Sequence, residues 1–198
     1  MVKVISLNSA IIPGTVIPMT QDHGNIGRWI EDDLEDKGYK VNRGKGIDLP
    51  KYGLEIKSRL RSSTSGHTVG AMLSADIINT PWEYSNIRDK IQRQYRVEYD
   101  ENILTGDNVV TEAKVYDFTC NEIQSKLKAA WEYGQAVLDN YALVEHEHKP
   151  KYIRGDDHWS YFEKQERGQY QYRITPGAME HIKKVSTNTN NRLFEFGA

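Results

Sequence analysis

Asp48, Glu55 and Lys57 stand in the order D-x6-E-x-K within the run Gly46 to Arg59, G-I-D-L-P-K-Y-G-L-E-I-K-S-R. Two carboxylates set close together repel unless a cation lies between them, and an ammonium beside them suits a reaction that builds negative charge on a bound group. Mg2+ takes hard oxygen ligands in near-octahedral geometry, accepts one or two protein carboxylates, and keeps sites for water and a substrate phosphate. Mn2+ is expected to substitute for it. The trio therefore predicts metal-assisted hydrolysis of a phosphodiester. Asp48 and Glu55 would hold the metal, and Lys57 would orient the attacking water and offset charge at phosphorus. The same string also arises by chance on ordinary surface strands, so the elements around it decide its meaning.

Gly53 to Ser58 alternates with period two, which puts Leu54, Ile56 and Ser58 on one face of a strand and Glu55 and Lys57 on the other. Pro50 and Gly53 predict a bend that folds Asp48 back beside Glu55. Upstream, Gly24 to Lys37 carries Ile26, Trp29, Ile30 and Leu34 at three-and-four spacing, the mark of an amphipathic helix. Asp22 or His23 would start it and Gly38 would stop it. Glu31 lies on the margin of the apolar stripe, where it can turn toward Asp48 and Glu55. Glu35, one turn on, is its rival, while Asp32, Asp33 and Asp36 read as a solvated face.

Three segments, Gly24 to Glu31, Asp48 to Pro50 and Gly53 to Lys57, together resemble the MutH-like mismatch-repair endonucleases and related type II restriction endonucleases of the PD-(D/E)xK superfamily. Thr80 to Arg93 is similar to that family's Trp-centred segment leading into a basic helix. Leu127 to Glu132 is similar to its later Trp-bearing helix, and Gly168 to Arg173 to its DNA-reading hairpin. The resemblance implies an α/β fold with a restriction-endonuclease-like mixed β-sheet, flanked by helices, and a DNA-binding cleft. It implies Mg2+-dependent cleavage of double-stranded DNA that leaves 5′-phosphates, directed at GATC, either as a restriction enzyme cutting both strands of a short site or as a strand-specific nickase with a MutL-type repair ATPase as partner. Glu31, Asp48, Glu55, Lys57 and Lys90 are the catalytic residues it implies, with the Ile56 carbonyl as an extra metal ligand. After Arg173 the chain departs from the family, with Ile174-Thr175-Pro176-Gly177 where a lysine is expected.

A nucleic-acid substrate asks for cations, and the formal net charge of −2 is decided less by its sum than by its distribution. Basic residues gather at Lys51 to Arg61, Arg88 to Arg96 and Lys149 to Arg154, and acidic ones at Glu31 to Asp36, Asp100 to Asp107 and Asp156 to Asp157. Lys57, Arg59 and Arg61 alternate as a basic strand edge. A helix begun at Asn79-Thr80-Pro81 would turn Ile87 and Ile91 inward and leave Arg88, Lys90 and Arg93 outside for phosphates. A hairpin over Tyr161 to Ile174, turning near Arg167-Gly168, would present Gln169, Gln171 and Arg173 on one face. Arginine suits the O6 and N7 edge of guanine, and glutamine the N6 and N7 edge of adenine. Each of these side chains also fits a plain solvated surface.

The remaining elements read as scaffold. Tyr95 to Tyr99 and Val109 to Phe118 are expected to pair around a Thr105-to-Asn108 turn, and Thr119 to Tyr141 forms a helix with Trp131 in the core. Val2 to Leu7 reads as a strand, His67 as a solvent-facing loop residue, and Pro176 as the start of a last helix before a frayed tail from residue 186. Glu145-His146-Glu147-His148 offers two imidazoles to a transition metal but no third clear ligand, and reads as an exposed connector. With 198 residues, 38% of them hydrophobic, the chain is expected to be one endonuclease domain. Its parts would be a lead-in over 1–20, a catalytic core over 21–118, a helix-and-hairpin region over 119–185 and a tail over 186–198. The single Cys120 rules out an internal disulfide, no run is apolar enough to span a membrane, and a cytoplasmic monomer or homodimer is expected. No P-loop supports ATP chemistry. A DNA-binding subunit that keeps the fold without cutting is the alternative.

Overall fold

Ile26, Ile30 and Leu34 recur every fourth residue and are buried together along one side of a helix. That stripe belongs to a computed structural model in which residues 10–18, 25–44 and 46–189 are described. In chain order the elements are β1 (Val16–Ile17), α1 (Asn25–Asp36), β2 (Glu55–Leu60), β3 (His67–Leu73), α2 (Ser74–Asn79), α3 (Asn86–Ile91), β4 (Arg93–Glu101) and β5 (Asn108–Asp117), followed by α4 (Asn121–Asn140), β6 (Tyr152–Arg154), β7 (Ser160–Lys164), β8 (Gln169–Ile174) and α5 (Pro176–Thr189). They make two four-stranded sheets flanked by helices, where a single mixed sheet was expected. Contacts divide the described chain into two units, one of residues 10–63 and Arg93–Asp117, the other of Thr64–Gln92 and 118–187.

In the first unit the strand order is β1-β5-β4-β2, with β2 parallel to β4 and the other pairs antiparallel. The alternation of β4 puts Tyr95, Val97 and Tyr99 into a core with Ile56 and the α1 stripe, with Trp29 packed against it. Gly38 ends α1 in the left-handed region at φ 88°. Its N–H donates to the Glu35 carbonyl at 2.8 Å and that of Tyr39 to Leu34 at 3.0 Å, the paired closure of a Schellman motif. Leu34 and Tyr39 are both buried, which adds the apolar contact that usually accompanies such an end.

In the second unit the order is β3-β8-β7-β6, all antiparallel. One face carries Ile153, Phe162, Tyr170, Tyr172 and Ile174, all buried, and α4 contributes Leu127, Ala130, Trp131 and Leu138 to that core. Trp131 meets Phe162, Trp82 and Tyr172 at ring-centroid distances of 5.5, 5.8 and 6.0 Å. Its indole N–H donates to the Thr80 carbonyl at 3.2 Å, so the polar atom of a buried side chain is satisfied.

Several expectations need correction. The helix expected to begin at Asn79-Thr80-Pro81 begins at Asn86, because Ser85 accepts the Arg88 N–H at 3.1 Å and acts as the cap. Arg93 lies outside that helix and opens β4, where it pairs with Asp117 at 3.2 Å. His67 is 7% exposed and lies not in a loop but at the start of β3, paired in register with Ile174. In the Glu145-to-His148 connector, His146 Nε2 lies 2.7 Å from the Gln165 carbonyl, while His148 stays exposed. Lys149, counted in a basic patch, is 9% exposed. The chain is not frayed from residue 186, because α5 runs to Thr189, and the rest of the expected tail lies outside the described residues. The expected Val2-to-Leu7 strand and the helix start at Asp22 or His23 lie outside the described residues.

Candidate active site

Asp48 and Glu55 are brought together by a turn that closes on itself. Leu49 and Leu54 exchange both backbone hydrogen bonds, at 2.8 and 3.2 Å, forming an isolated antiparallel bridge. Between them Pro50–Tyr52 makes one 3-10 turn, and Gly53 reverses the chain at φ 63°, a conformation that costs other residues about 1–2 kcal/mol. With Leu49 bridged to Leu54, Asp48 and Glu55 are the residues that flank the bridge on its open side. Asn42 supports the arrangement from behind, its N–H donating to the Asp48 carbonyl at 2.7 Å and its side-chain amide to the Ile47 carbonyl at 3.2 Å.

The Asp48 carboxylate accepts the Ile56 N–H at 2.8 Å. Among the described residues β2 is the edge strand of its sheet, and the N–H and C=O of one residue leave a strand on the same side. The Ile56 carbonyl therefore faces the edge at which Asp48 sits. Glu55 is 1% exposed, and its Oε1 accepts Lys57 Nζ at 2.7 Å. Burying a carboxylate is costly unless a cation and hydrogen bonds compensate, and Lys57 supplies the cation.

Glu31, half-buried on α1, has its carboxyl pushed upward, first by burial and next by the nearby negative charge of Asp48, while the Arg43 guanidinium pulls it back. Its rival Glu35 instead pairs with Arg43 at 2.6 Å, and Arg43 also binds Asp32. A glutamate with a raised folded-state pKa binds more protons folded than unfolded, so its contribution to stability is present below the ordinary value of 4.5 and is lost as pH rises through the folded pKa. Glu31→Gln is therefore expected to raise the melting temperature at neutral pH without divalent cations. The gain should vanish below about pH 4. A thermal melt series across pH checks it, and an equal gain at every pH would remove the charge argument.

The same strand face continues beyond the trio. In register, Glu55 lies beside Gln94, Lys57 beside Arg96, and Arg59 beside Glu98. Gln94 and Arg96 are buried, and burial together with the Arg59 guanidinium pulls Arg96 down to about 10. Gln94 was not picked out from sequence, and Arg96, counted there in a basic patch, is buried instead; Q-Y-R-V-E-Y alternates polar and apolar residues as strictly as β2 does.

Of the other residues named from sequence, Arg59 donates to the Ser63 carbonyl and Arg61 pairs with Asp100 at 3.6 Å, both in the first unit. Arg88 and Lys90 sit on α3 in the second, where Arg88 donates to the Glu83 carbonyl at 3.3 Å. Gln169, Gln171 and Arg173 lie on β8 and alternate with buried Tyr170 and Tyr172, so they do share a face. Arg173 is tied down there: Nη1 donates to the Gly66 carbonyl at 3.0 Å and Nη2 to Gln171 Oε1 at 2.6 Å. Its Nε stands 2.5 Å from Glu163 Oε2, an ion pair off the line of a good hydrogen bond.

Asp48, Glu55 and the Ile56 carbonyl are hard oxygen donors, the kind of ligand Mg2+ takes. Among the described residues no three His, Cys, Asp or Glu side chains converge as a ready-made metal cage, and an ion that keeps several waters does not require one. No helix among the described residues is long and apolar enough to cross a membrane. No protein-family model matches the chain, and the curated proteins give no significant match.

Proposed function

We propose that this chain is a Mg2+-dependent endonuclease that hydrolyses phosphodiesters of double-stranded DNA and leaves 5′-phosphates. The observation that supports the reading is that the Leu49–Leu54 bridge returns the chain so that the Asp48 carboxylate accepts the Ile56 N–H at 2.8 Å, while Lys57 rests 2.7 Å from the Glu55 carboxylate. Asp48, Glu55 and the Ile56 carbonyl would hold the ion, which supplies Lewis-acid stabilisation of charge at phosphorus. Lys57 is placed to orient water and to balance the charge that develops as the 3′-oxygen leaves. Glu31, protonating more readily than an ordinary glutamate, is suited to take up the water's proton.

The resemblance alone supports a restriction-endonuclease-like fold with a DNA cleft, GATC as target and a MutL-type ATPase as partner, while a cytoplasmic setting rests on the single Cys120. The test is incubation of supercoiled plasmid with the purified chain in Mg2+. Nicked or linear product is expected, and sequencing of its ends reads target, stagger and strand preference together. Intact plasmid on hemimethylated, unmethylated and fully methylated substrates alike would sink the reading and leave the non-cutting subunit in its place.

A further inference from the structure

The second sheet packs one face into its core; on the other face Arg154 on β6, Tyr161 on β7 and Arg173 on β8 are successive register partners and form one row across three strands, in which Arg154 is exposed while Tyr161 is buried and Arg173 largely covered. The Arg154 guanidinium lies over the Tyr161 ring at 4.7 Å. Next to it Lys151 Nζ lies over Tyr152 at 5.2 Å, and that tyrosine is 50% exposed. Among the described residues, neither Arg154 nor Lys151 meets a carboxylate or makes a side-chain hydrogen bond. Stacking holds a guanidinium in place while leaving its N–H edge unused, the condition for a preformed oxyanion contact.

Arg173 differs. Glu163, Gln171 and Gly66 hold it, yet one N–H remains on each Nη nitrogen. Its neighbour Glu163 offsets its charge, so the uncompensated cations of this face are Arg154 and Lys151. Adjacent strands are about 4.8 Å apart, which separates the Arg154 and Arg173 backbones by about 10 Å, less than the about 12 Å width of a major groove. A strand face of that width can put Arg173 on base edges and Arg154 on the phosphates bordering the groove.

The geometry points to Arg154, stacked on Tyr161, as a backbone-phosphate contact for duplex DNA, on a docking face that extends from β8 to β6. This rests on the duplex-DNA reading given above but not on catalysis. The test is equilibrium binding of short labelled duplexes of unrelated sequence, in Ca2+, over a range of salt. Arg154→Ala is expected to weaken every duplex on the order of tenfold and to make the salt slope shallower by about one. Arg154→Lys should restore the slope. Wild-type affinity and slope in Arg154→Ala overturns the assignment, as does a loss confined to one sequence, which would mark a base contact. A wild-type chain that binds no duplex overturns it too. Duplex binding that weakens as expected, in a protein that cuts nothing in Mg2+, keeps this contact and sinks the nuclease reading alone.

Discussion

Asp48→Ala and Lys57→Ala are each expected to lower Mg2+-dependent cleavage of duplex DNA by about 10²–10⁴-fold, the range found for removal of a group acting at the reacting centre. The two variants should differ in stability. Asp48 takes the Ile56 N–H at the sheet edge, and truncating it costs one hydrogen bond of about 0.5–1.5 kcal/mol. Lys57 is the counter-ion of a carboxylate that is 1% exposed, so its loss leaves a buried charge to be neutralised and costs more. Asp48→Asn separates the roles, because it retains an acceptor for Ile56 but not the negative charge. It should fold like wild type and cut as poorly as Asp48→Ala. Initial rates on supercoiled plasmid, beside duplex binding in Ca2+, check the set, and an Asp48 variant that cuts at the wild-type rate refutes the site.

Gly134→Ala is expected to destabilise the chain, against the usual preference of helices for alanine. Removing a mid-helix glycine gains about 1 kcal/mol. At this position, however, an added Cβ would lie 2.1 Å from Phe162 Cε2 and 2.4 Å from Cδ2. The ring cannot retreat freely, being buried with its centroid 5.5 Å from Trp131 and 5.0 Å from Tyr172. Overpacking of this kind costs about 1–3 kcal/mol, and so close an approach sits at the upper end. The net loss should lower the melting temperature by several degrees, at about 2–4 °C per kcal/mol for a chain of this size. A melting temperature above wild type would show that α4 does not rest on β7 as described.

Much of this scaffold can be read directly from local pattern. The α4 seam of Ile123, Leu127, Trp131 and Leu138 follows helical periodicity, and the β4–β5 and β7–β8 hairpins follow alternation broken by turn residues. Pro50 and Gly53 announce the bend that returns Asp48 to Glu55. What local pattern misses depends on partners distant in sequence. Thr80-Pro81 imitates a helix start, but the competing cap at Ser85 is hidden in an unremarkable Tyr-Ser-Asn. Alternation in β8 places Arg173 on the correct face, yet its hold on Glu163 and Gly66 follows only from strand register. For the same reason two sheets stand where one was expected: strand order is set by long-range pairing, which no window of the sequence contains.

The two units share the chain in alternating pieces, and this constrains how the molecule can be made. Among the described residues β2 has a single neighbouring strand, β4, which begins more than thirty residues after β2 ends, beyond the whole of Thr64–Gln92. A polypeptide emerging from a ribosome therefore completes the Asp48–Glu55 bend while its supporting strand is still unsynthesised. Assembly must wait for a distant segment, a connectivity that slows folding relative to neighbour-by-neighbour packing. Truncation offers no shortcut, since any cut after β2 and before Arg93 leaves that strand's edge bare, and any cut just after Asp117 strands β3 without β8.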